Sequence, residues 1–587
     1  MKRIAVIDKE RCNPVGCGGY LCIKKCPLNR MGLEAIVVGP DGKAQINEEV
    51  ATDACQVCVN ICPFNAIHMV NLPDQLTKRP MHRYSKDGFI LYSLPTPIFG
   101  KVLGVVGVNG IGKSTAIKIL AGVLKPNLGN PDAKEATVDD LIKMFKGTEA
   151  QIFFEKVKKN QITISYKPQE VEAIQRKAQG TVKELLKKID KKGKLDKIAE
   201  QLEITPILEN DIQKISGGEM QRVAIAATVL KQASLYIFDE PSSYLDIKQR
   251  FKVAQFIKSL ADENTAILVI EHDLIALDYM ADLITIMYGK EKVYGIASQP
   301  KPAKAGINAY LEGHLREDNV RFREYKIGFS VSSKEKKRRK DQLTSWKPME
   351  KKLGKFHLAT TEGAVHRQEI IGIVGPNGIG KTTFVKLLAG IEKPDKGEPL
   401  QHIAISYKPQ AIAVPEEKTV MEFLEEVIKK HTNDIINPLN IKDLYSQKLS
   451  TLSGGELQRV VIAHALGQKA DLVLLDEPSA YLDIEQRLIV AKVIRHLADT
   501  TGKSILVVDH DLVFLDFLSD CLIVFEGTPA RDGKEIGPLP MEDGMNALLR
   551  EVGITLRREE ASGRPRTNKP GSVMDREQKD SGRLYYS

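Results

Sequence analysis

The sequence predicts an α/β fold built twice in one chain and preceded by a small, cysteine-rich α+β module. Three observations carry this reading. One ordered set of motifs occurs in the first half of the chain and again in the second. Each set opens with an apolar strand that runs through a glycine-rich loop into a helical pattern. Seven of the eight cysteines fall between Cys12 and Cys62.

Length and composition bound the rest. At 587 residues the chain exceeds what one core serves and divides into several domains. Hydrophobic content of 42% and charged content of 27% are ordinary for a globular protein. No run of about 18 uncharged apolar residues occurs, so no membrane span is expected. The start, MKRIAVIDKERC, lacks the apolar core of a signal peptide, which points to the cytoplasm. In such a chain clustered cysteines favour metal over disulfides. Cys521, in SDCLIVF, reads instead as a small apolar residue on a buried strand. The net charge of +9 hints at a polyanionic partner, and its sharpest run, KEKKRRK (334–340), reads as a solvated linker.

The cysteine module, residues 1–75, is defined by two runs, Cys12-x4-Cys17-x4-Cys22-x3-Cys26-Pro and Cys55-x2-Cys58-x3-Cys62-Pro. In two-cluster ferredoxins the last cysteine of each run serves the other cluster. The first cluster then takes Cys12, Cys17, Cys22 and Cys62. The second takes Cys26, Cys55, Cys58 and whatever stands at Thr52, where a further cysteine is expected. A zinc site needs four ligands and leaves three cysteines idle, so the paired Cys-Pro endings favour iron–sulfur.

The first repeat, residues 76–300, runs VLGVVG into GVNGIGKST (107–115), then YKPQ (166–169), SGGEMQR (216–222), FDEPSSYLD (238–246) and EHDL (271–274). After a linker at 301–345, the second repeat, 346–535, answers with GPNGIGKTT (375–383), YKPQ (407–410), SGGELQR (453–459), LDEPSAYLD (475–483) and DHDL (509–512). Even GINAYL (306–311) has a counterpart in GMNALL (544–549), and residues 536–587 close the chain. Lys113 and Gln169 stand much further apart than Lys381 and Gln410, so the first repeat carries an insertion. Within it, residues 138–160 place Leu141, Ile142, Phe145, Ile152, Phe153 and Val157 at helical spacing broken by Gly147, which predicts a helix–loop–helix.

A strand–loop–helix with GxxxxGK followed by Ser or Thr is a phosphate-binding loop. Gly107, Asn109, Gly110, Gly112 and Thr115, like Gly375, Asn377, Gly378, Gly380 and Thr383, line a loop whose backbone N–H groups converge on phosphate at a helix N-terminus. Lys113 and Lys381 reach the β- and γ-phosphates, while Ser114 and Thr382 offer a hydroxyl to Mg²⁺. Asp239 and Asp476, each ending an apolar strand, suit the Mg²⁺ shell; Glu240 and Glu477, one residue on, are placed to polarise the attacking water. His272 and His510 close similar strands, and their recurrence in one context points to a γ-phosphate contact. Tyr84 and Phe89, in HRYSKDGF, are candidates to stack on adenine, with Phe356 in the second repeat.

At SGGE the order of motifs resembles the ATP-binding-cassette ATPases. The resemblance covers both repeats and implies two cassettes stacked head to tail, with each nucleotide between one P-loop and the opposing signature. One site would join Lys113, Ser114, Gln169, Asp239, Glu240 and His272 to Ser453 and Gly455. The other would join Lys381, Thr382, Gln410, Asp476, Glu477 and His510 to Ser216 and Gly218. Bound γ-phosphate would bridge the halves and hydrolysis would remove the bridge.

A ferredoxin-like module fused to twin cassettes resembles one family specifically, the ribosome-recycling ATPases of cassette subfamily E, also called RNase L inhibitor. HRY, LPTP (94–97), the YKPQ pair, SSYLD, the GIN and GMN segments and GRPRTNK (563–569) all fit it. The resemblance runs end to end. It implies a cytosolic, archaeal-type protein that works as a monomer with an intramolecular cassette pair. Such a protein binds the small ribosomal subunit, meets a release factor or its rescue paralogue, and splits ribosomes after termination. It needs ATP, Mg²⁺ and iron–sulfur clusters, and no DNA or membrane partner. Family contacts with the ribosome correspond here to residues 138–160, 316–323 and 557–566, whose basic groups suit phosphate positioning rather than base readout.

Two departures from the family stand out. Four residues, GGYL, separate Cys17 from Cys22 where three are usual, and Thr52 occupies a ligand position. A neutral hydroxyl is a poor substitute for thiolate, so one full 4Fe–4S cluster and one compromised cluster are expected. For the second, a 3Fe–4S centre, an Asp53 or solvent ligand, and poor loading all stay open. A transporter ATPase would not carry the cysteine module, and a repair ATPase would interrupt its cassettes with coiled-coil heptads. A redox enzyme would add a flavin or nicotinamide fingerprint, and none is found.

Overall fold

The computed structural model describes the chain apart from residues 1–2, 8–10, 40–41, 48–49, 51–54, 56, 65, 72–78, 87, 133–134, 330–340, 399, 401–402, 560–561 and 586–587. In the first repeat, strands Leu283–Lys290, Val102–Val106, Ala266–Ile270, Leu235–Asp239 and Ile164–Lys167 lie side by side in that order, all parallel. The second repeat sets out Cys521–Thr528, Ile370–Val374, Ser504–Val508, Leu472–Asp476 and Ile405–Lys408 in the same order. The strands VLGVV, LYIFD and AILVI are buried at every residue. That is why they read as continuous apolar runs rather than alternating ones.

Such a sheet gathers chemistry at the carboxyl ends of neighbouring strands. Here Val102–Val106 leads into the P-loop, Ala266–Ile270 into His272, and Leu235–Asp239 into Glu240. An antiparallel flank extends each sheet. In the second repeat the flanking strand Asp532–Pro540 runs past the boundary expected at 535, because it stays paired with Cys521–Thr528. At the other end Gln342–Trp346 pairs with Gly363–His366, drawing residues ahead of 346 into the repeat.

The insertion folds as helices Val138–Met144 and Glu149–Lys158, broken by left-handed Gly147 (φ 82°). A reciprocal Thr137–Asp140 cap starts the first helix. Leu141, Phe153 and Phe154 are buried, while Ile152 is exposed.

In the cysteine module, Arg3–Ile7 pairs with Ile67–Asn71 and Ile36–Val38 with Ala44–Ile46, around helices Leu21–Lys25, Pro27–Arg30 and Val57–Ile61. The long Cys17–Cys22 spacing is taken up by three successive left-handed residues, Gly18, Gly19 and Tyr20. Two are glycines, for which this costs little. Tyr20 donates its hydroxyl to the Gly42 carbonyl at 2.7 Å.

Helices Ala303–Glu312 and Met541–Val552 pack on equivalent strands of the two repeats, and each ends at a left-handed glycine, Gly313 or Gly553. The C-terminal hairpin Leu556–Arg558 with Pro565–Thr567 reaches both repeats. Arg564 and Arg566 pair with Asp278 of the first at 3.4 and 2.7 Å, and Arg558 pairs with Asp516 of the second at 3.4 Å. KEKKRRK lies outside the described residues.

Candidate functional site

The two repeats dock head to tail, and the motifs meet across the seam. The Asn109 backbone N–H donates to Asp483 Oδ2 at 2.9 Å and its side-chain amide to the Tyr481 carbonyl. Reciprocally, Asn377 donates to Asp246 Oδ2 at 3.0 Å and to the Tyr244 carbonyl at 3.0 Å. Each P-loop therefore touches the SSYLD or SAYLD turn of the opposite repeat. That turn backs its own signature: a Cβ at Gly218 or Gly455 would come within 3.0 or 2.9 Å of the carbonyl of Tyr244 or Tyr481, so no side chain fits there. The arrangement brings Ser453 and Gly455 to the side of Lys113, and Ser216 and Gly218 to the side of Lys381. Ser216 and Ser453 each cap their signature helix in a reciprocal box with Glu219 and Glu456.

Within each P-loop the lysine is buried and folded onto its own loop. Lys113 Nζ donates to the carbonyls of Gly107 and Val108 at 2.8 and 2.9 Å, and Lys381 Nζ to those of Gly375 and Pro376 at 2.8 and 2.7 Å. Burial lowers both ammonium pKa values, that of Lys381 to about 8. An incoming phosphate would bring negative charge directly against these buried ammonium groups. Gly112 and Gly380, at φ 90° and 103°, are also needed for space, since a Cβ there would strike Phe89 or Phe356.

The acid pairs sit at the strand ends. Burial raises the pKa of Asp239, Glu240, Asp476 and Glu477, and the neighbouring carboxylates raise the two glutamates further. Gln169 Nε2 donates to Glu240 Oε1 and Gln410 Nε2 to Glu477 Oε1, both at 2.8 Å. His272 Nε2 lies 3.6 Å from Glu240 and His510 Nε2 3.8 Å from Glu477. Burial, followed by Lys113 and Arg487 or by Lys381 and Arg250, pushes both imidazoles well below the usual histidine value. They are neutral rings, able to donate one N–H to a phosphate oxygen. Thr382 Oγ1 donates to Asp476 Oδ2 at 2.8 Å, so the two groups expected around Mg²⁺ are already adjacent. In the first repeat Tyr166 donates to Asp239 Oδ2 at 3.3 Å.

Several participants escaped the sequence reading. Lys167 and Lys408, fully buried, donate to the carbonyls of Asp239 and Asp476 at 2.8 and 2.7 Å and to those of Glu240 and Glu477 at 3.2 and 3.3 Å. Gln221 and Gln458, from the signature helices, reach the same glutamate carbonyls at 2.6 and 2.7 Å. Arg250 pairs with Asp273 and reaches the His510 carbonyl; Arg487 pairs with Asp511 and reaches the His272 carbonyl. The available signal was positional: all six recur at matching places in the two repeats.

Of the aromatic candidates, Tyr84 is half exposed, with its hydroxyl 3.1 Å from Thr115 Oγ1 on the P-loop helix and its ring in edge contact with His82. Phe89 lies against Gly112 and Gly295, and Phe356 against Gly380 and Gly533, so these two rings support the loops.

Cys12, Cys17, Cys22 and Cys62 line one pocket, together with Tyr20, Phe64 and Ile67. Burial, then the three neighbouring thiols, pushes Cys22 up to about 11. Cys58 is raised by burial and by Cys55 and Cys26, which marks the second trio. Among the described residues no three His, Cys, Asp or Glu side chains group around a single ion. Thiolates spread around a cavity suit a multi-iron cluster, whose ligands sit on different irons. Thr52 and Asp53 lie outside the described residues.

The "ABC transporter" family model matches residues 99–243 and 358–480, and the model "Possible Fer4-like domain in RNase L inhibitor, RLI" matches residues 3–34. An uncharacterised ABC transporter ATP-binding protein of Methanocaldococcus jannaschii is 47% identical over the whole of this chain and 97% of its own length. A solved structure described as ribosome-bound archaeal Pelota and ABCE1 contains a chain 49% identical, with a TM-score of 0.94 over 100% of this chain and 99% of that one. Another, of the archaeal ribosome recycling factor aABCE1 in complex with the ribosomal stalk protein aP1, is 48% identical. It covers 87% of this chain and 99% of that one, with a TM-score of 0.82.

Proposed function

The chain belongs to the RNase L inhibitor family, the E family of ATP-binding-cassette proteins, and on that premise we propose that it is an ATP-driven ribosome recycling factor. It is an ATPase of two cassettes with a ferredoxin-like iron–sulfur domain, and among the described residues no helix is long and apolar enough to cross a membrane. The observation that carries the proposal is the reciprocal seam, Asn109 on Asp483 and Asn377 on Asp246. A nucleotide on either P-loop must share its pocket with the opposite signature, so ATP occupancy and closure are one event.

In each site the lysine turns from its loop carbonyls to phosphate, and the signature helix N-terminus completes the anion pocket. Glu240 or Glu477 accepts the proton of the attacking water, with the neutral histidine donating to the γ-phosphate. Mg²⁺ would be held by Ser114 or Thr382 with Asp239 or Asp476, and would neutralise charge on the phosphates. Binding closes the seam and hydrolysis resets it. The relatives supply the target: one is bound to the ribosome beside Pelota, and one is a recycling factor. This chain accordingly works in the cytoplasm as a monomer, docks on the small subunit, meets a release factor or its paralogue, and separates the subunits. Cys12, Cys17, Cys22 and Cys62 would hold one 4Fe–4S cluster, and Cys26, Cys55 and Cys58 would hold a compromised one that lacks a thiolate at Thr52. A cluster held by these cysteines would cross-link the module's short elements.

The test mixes cluster-loaded protein, ribosomes, release-factor paralogue and a non-hydrolysable ATP analogue, and follows subunits on gradients. Separated subunits are expected. Ribosomes that stay whole with nucleotide bound would defeat the proposal.

A further inference from the structure

The two nucleotide sites are near copies, but the turn beside each P-loop differs. After strand Leu283–Lys290 the turn carries Glu291 and Lys292; after Cys521–Thr528 it carries Pro529 and Ala530. The geometry establishes that Lys292 and Ala530 are equivalent. Lys292 N–H donates to the Gly110 carbonyl at 2.9 Å, and Ala530 N–H to the Gly378 carbonyl at 3.0 Å. Both residues are left-handed, at φ 60° and 61°.

Lys292 Nζ then crosses the seam to Glu456 Oε1 at 3.3 Å. Glu456 caps the opposing signature helix: its other oxygen accepts from the Ser453 N–H at 2.9 Å and hydroxyl at 2.6 Å. One lysine thus ties the edge of the first P-loop to the cap of the helix that faces it. Glu219 makes the same cap with Ser216 in the first repeat, but alanine at 530 has no amine to repeat the bridge.

We propose that Lys292 is a positioning residue particular to the Lys113 site, bridging that site's P-loop edge to the opposing signature helix and favouring its closure over that of the Lys381 site. The inference rests on the ATP-clamp reading above. The bridge spans two bodies, so it contributes when they are docked and not when they part, which makes it a differential contact between the two states. Lys292 is 40% exposed and Glu456 15%, so the contribution is modest and screened by salt.

The test places a fluorophore pair across each site in turn, in full-length, cluster-loaded protein, and titrates a non-hydrolysable ATP analogue. Lys292→Ala is expected to raise the concentration that half-closes the Lys113 site by up to roughly fivefold, as an exposed ion pair allows. The Lys381 site should not move. Lys292→Arg should restore the parent value, high salt should shrink the difference, and Ala530→Lys should ease closure of the Lys381 site. An equal shift at both sites, no shift at either, or failure of arginine to restore would overturn the inference. Absence of analogue-driven closure at both sites of the unaltered protein is a separate result, and it would defeat the clamp reading itself.

Discussion

Glu240 and Glu477 occupy left-handed backbone, φ 46° and 48°, that a glutamate adopts only when its surroundings impose it. Here the carbonyl of each receives a buried lysine amine and a glutamine amide, and the carboxylate receives a second amide. The acids themselves were legible in the sequence, because a DE pair ending an apolar run beside a P-loop has few other uses. Lys167 and Lys408 were not, since a lysine flanked by tyrosine and proline reads as solvated until its strand is placed against the acid-bearing strand. A different buried acid gives a pH prediction. Glu535 accepts from the Thr361 N–H and hydroxyl at 2.9 Å, and burial pushes its pKa up to about 7. A carboxyl raised in the fold lends stability at low pH that is lost as pH rises from its ordinary value through 7. Glu535→Gln should therefore gain unfolding free energy over the parent as pH rises from 5 to 8, approaching about 3 kcal/mol in denaturant unfolding. Parallel profiles for the two proteins would contradict this.

At the scale of elements, the C-terminal hairpin Leu556–Arg558 with Pro565–Thr567 binds the helices that follow the two histidines, through Asp278 and Asp516. Asp278 and Arg564 are both almost wholly buried. Asp278→Ala leaves the guanidinium without its counter-charge and should cost about 3–5 kcal/mol in thermal or denaturant unfolding. Asp516→Ala should cost less, because Arg558 keeps access to water. Equal losses would show that burial does not set the cost. GRPRTNK pointed to this segment by resemblance, but its pairing with Asp278 depends on how one repeat sits on the other, which no local pattern encodes. The cysteine module allows a second test. Its short helices and two-stranded pairings enclose a core that includes Cys22, Cys26 and Cys58. Removing iron under anaerobic chelation should unfold this module, read by protease sensitivity of the first 75 residues, while ATP binding by the cassettes persists. A module that stays protected would mean the cluster is not what holds its shape.

At the scale of the whole molecule, motif order and the repeat were enough to read the twin cassettes, because phosphate chemistry demands glycine, lysine and acids at fixed spacing. The cross-seam pairs, Asn109 with Asp483 and Arg250 with the His510 carbonyl, appear only once the repeats are docked. They make closure at the seam the output of ATP binding. If binding does the work and hydrolysis only resets, a protein that binds ATP without cleaving it still splits ribosomes once. The decisive measurement is light scattering of ribosomes with release-factor paralogue, ATP and the Glu240→Gln, Glu477→Gln double variant. The account predicts one round of subunit release per protein at stoichiometric amounts and no turnover at catalytic amounts. Intact ribosomes at stoichiometric amounts, with ATP shown to be bound, would contradict it.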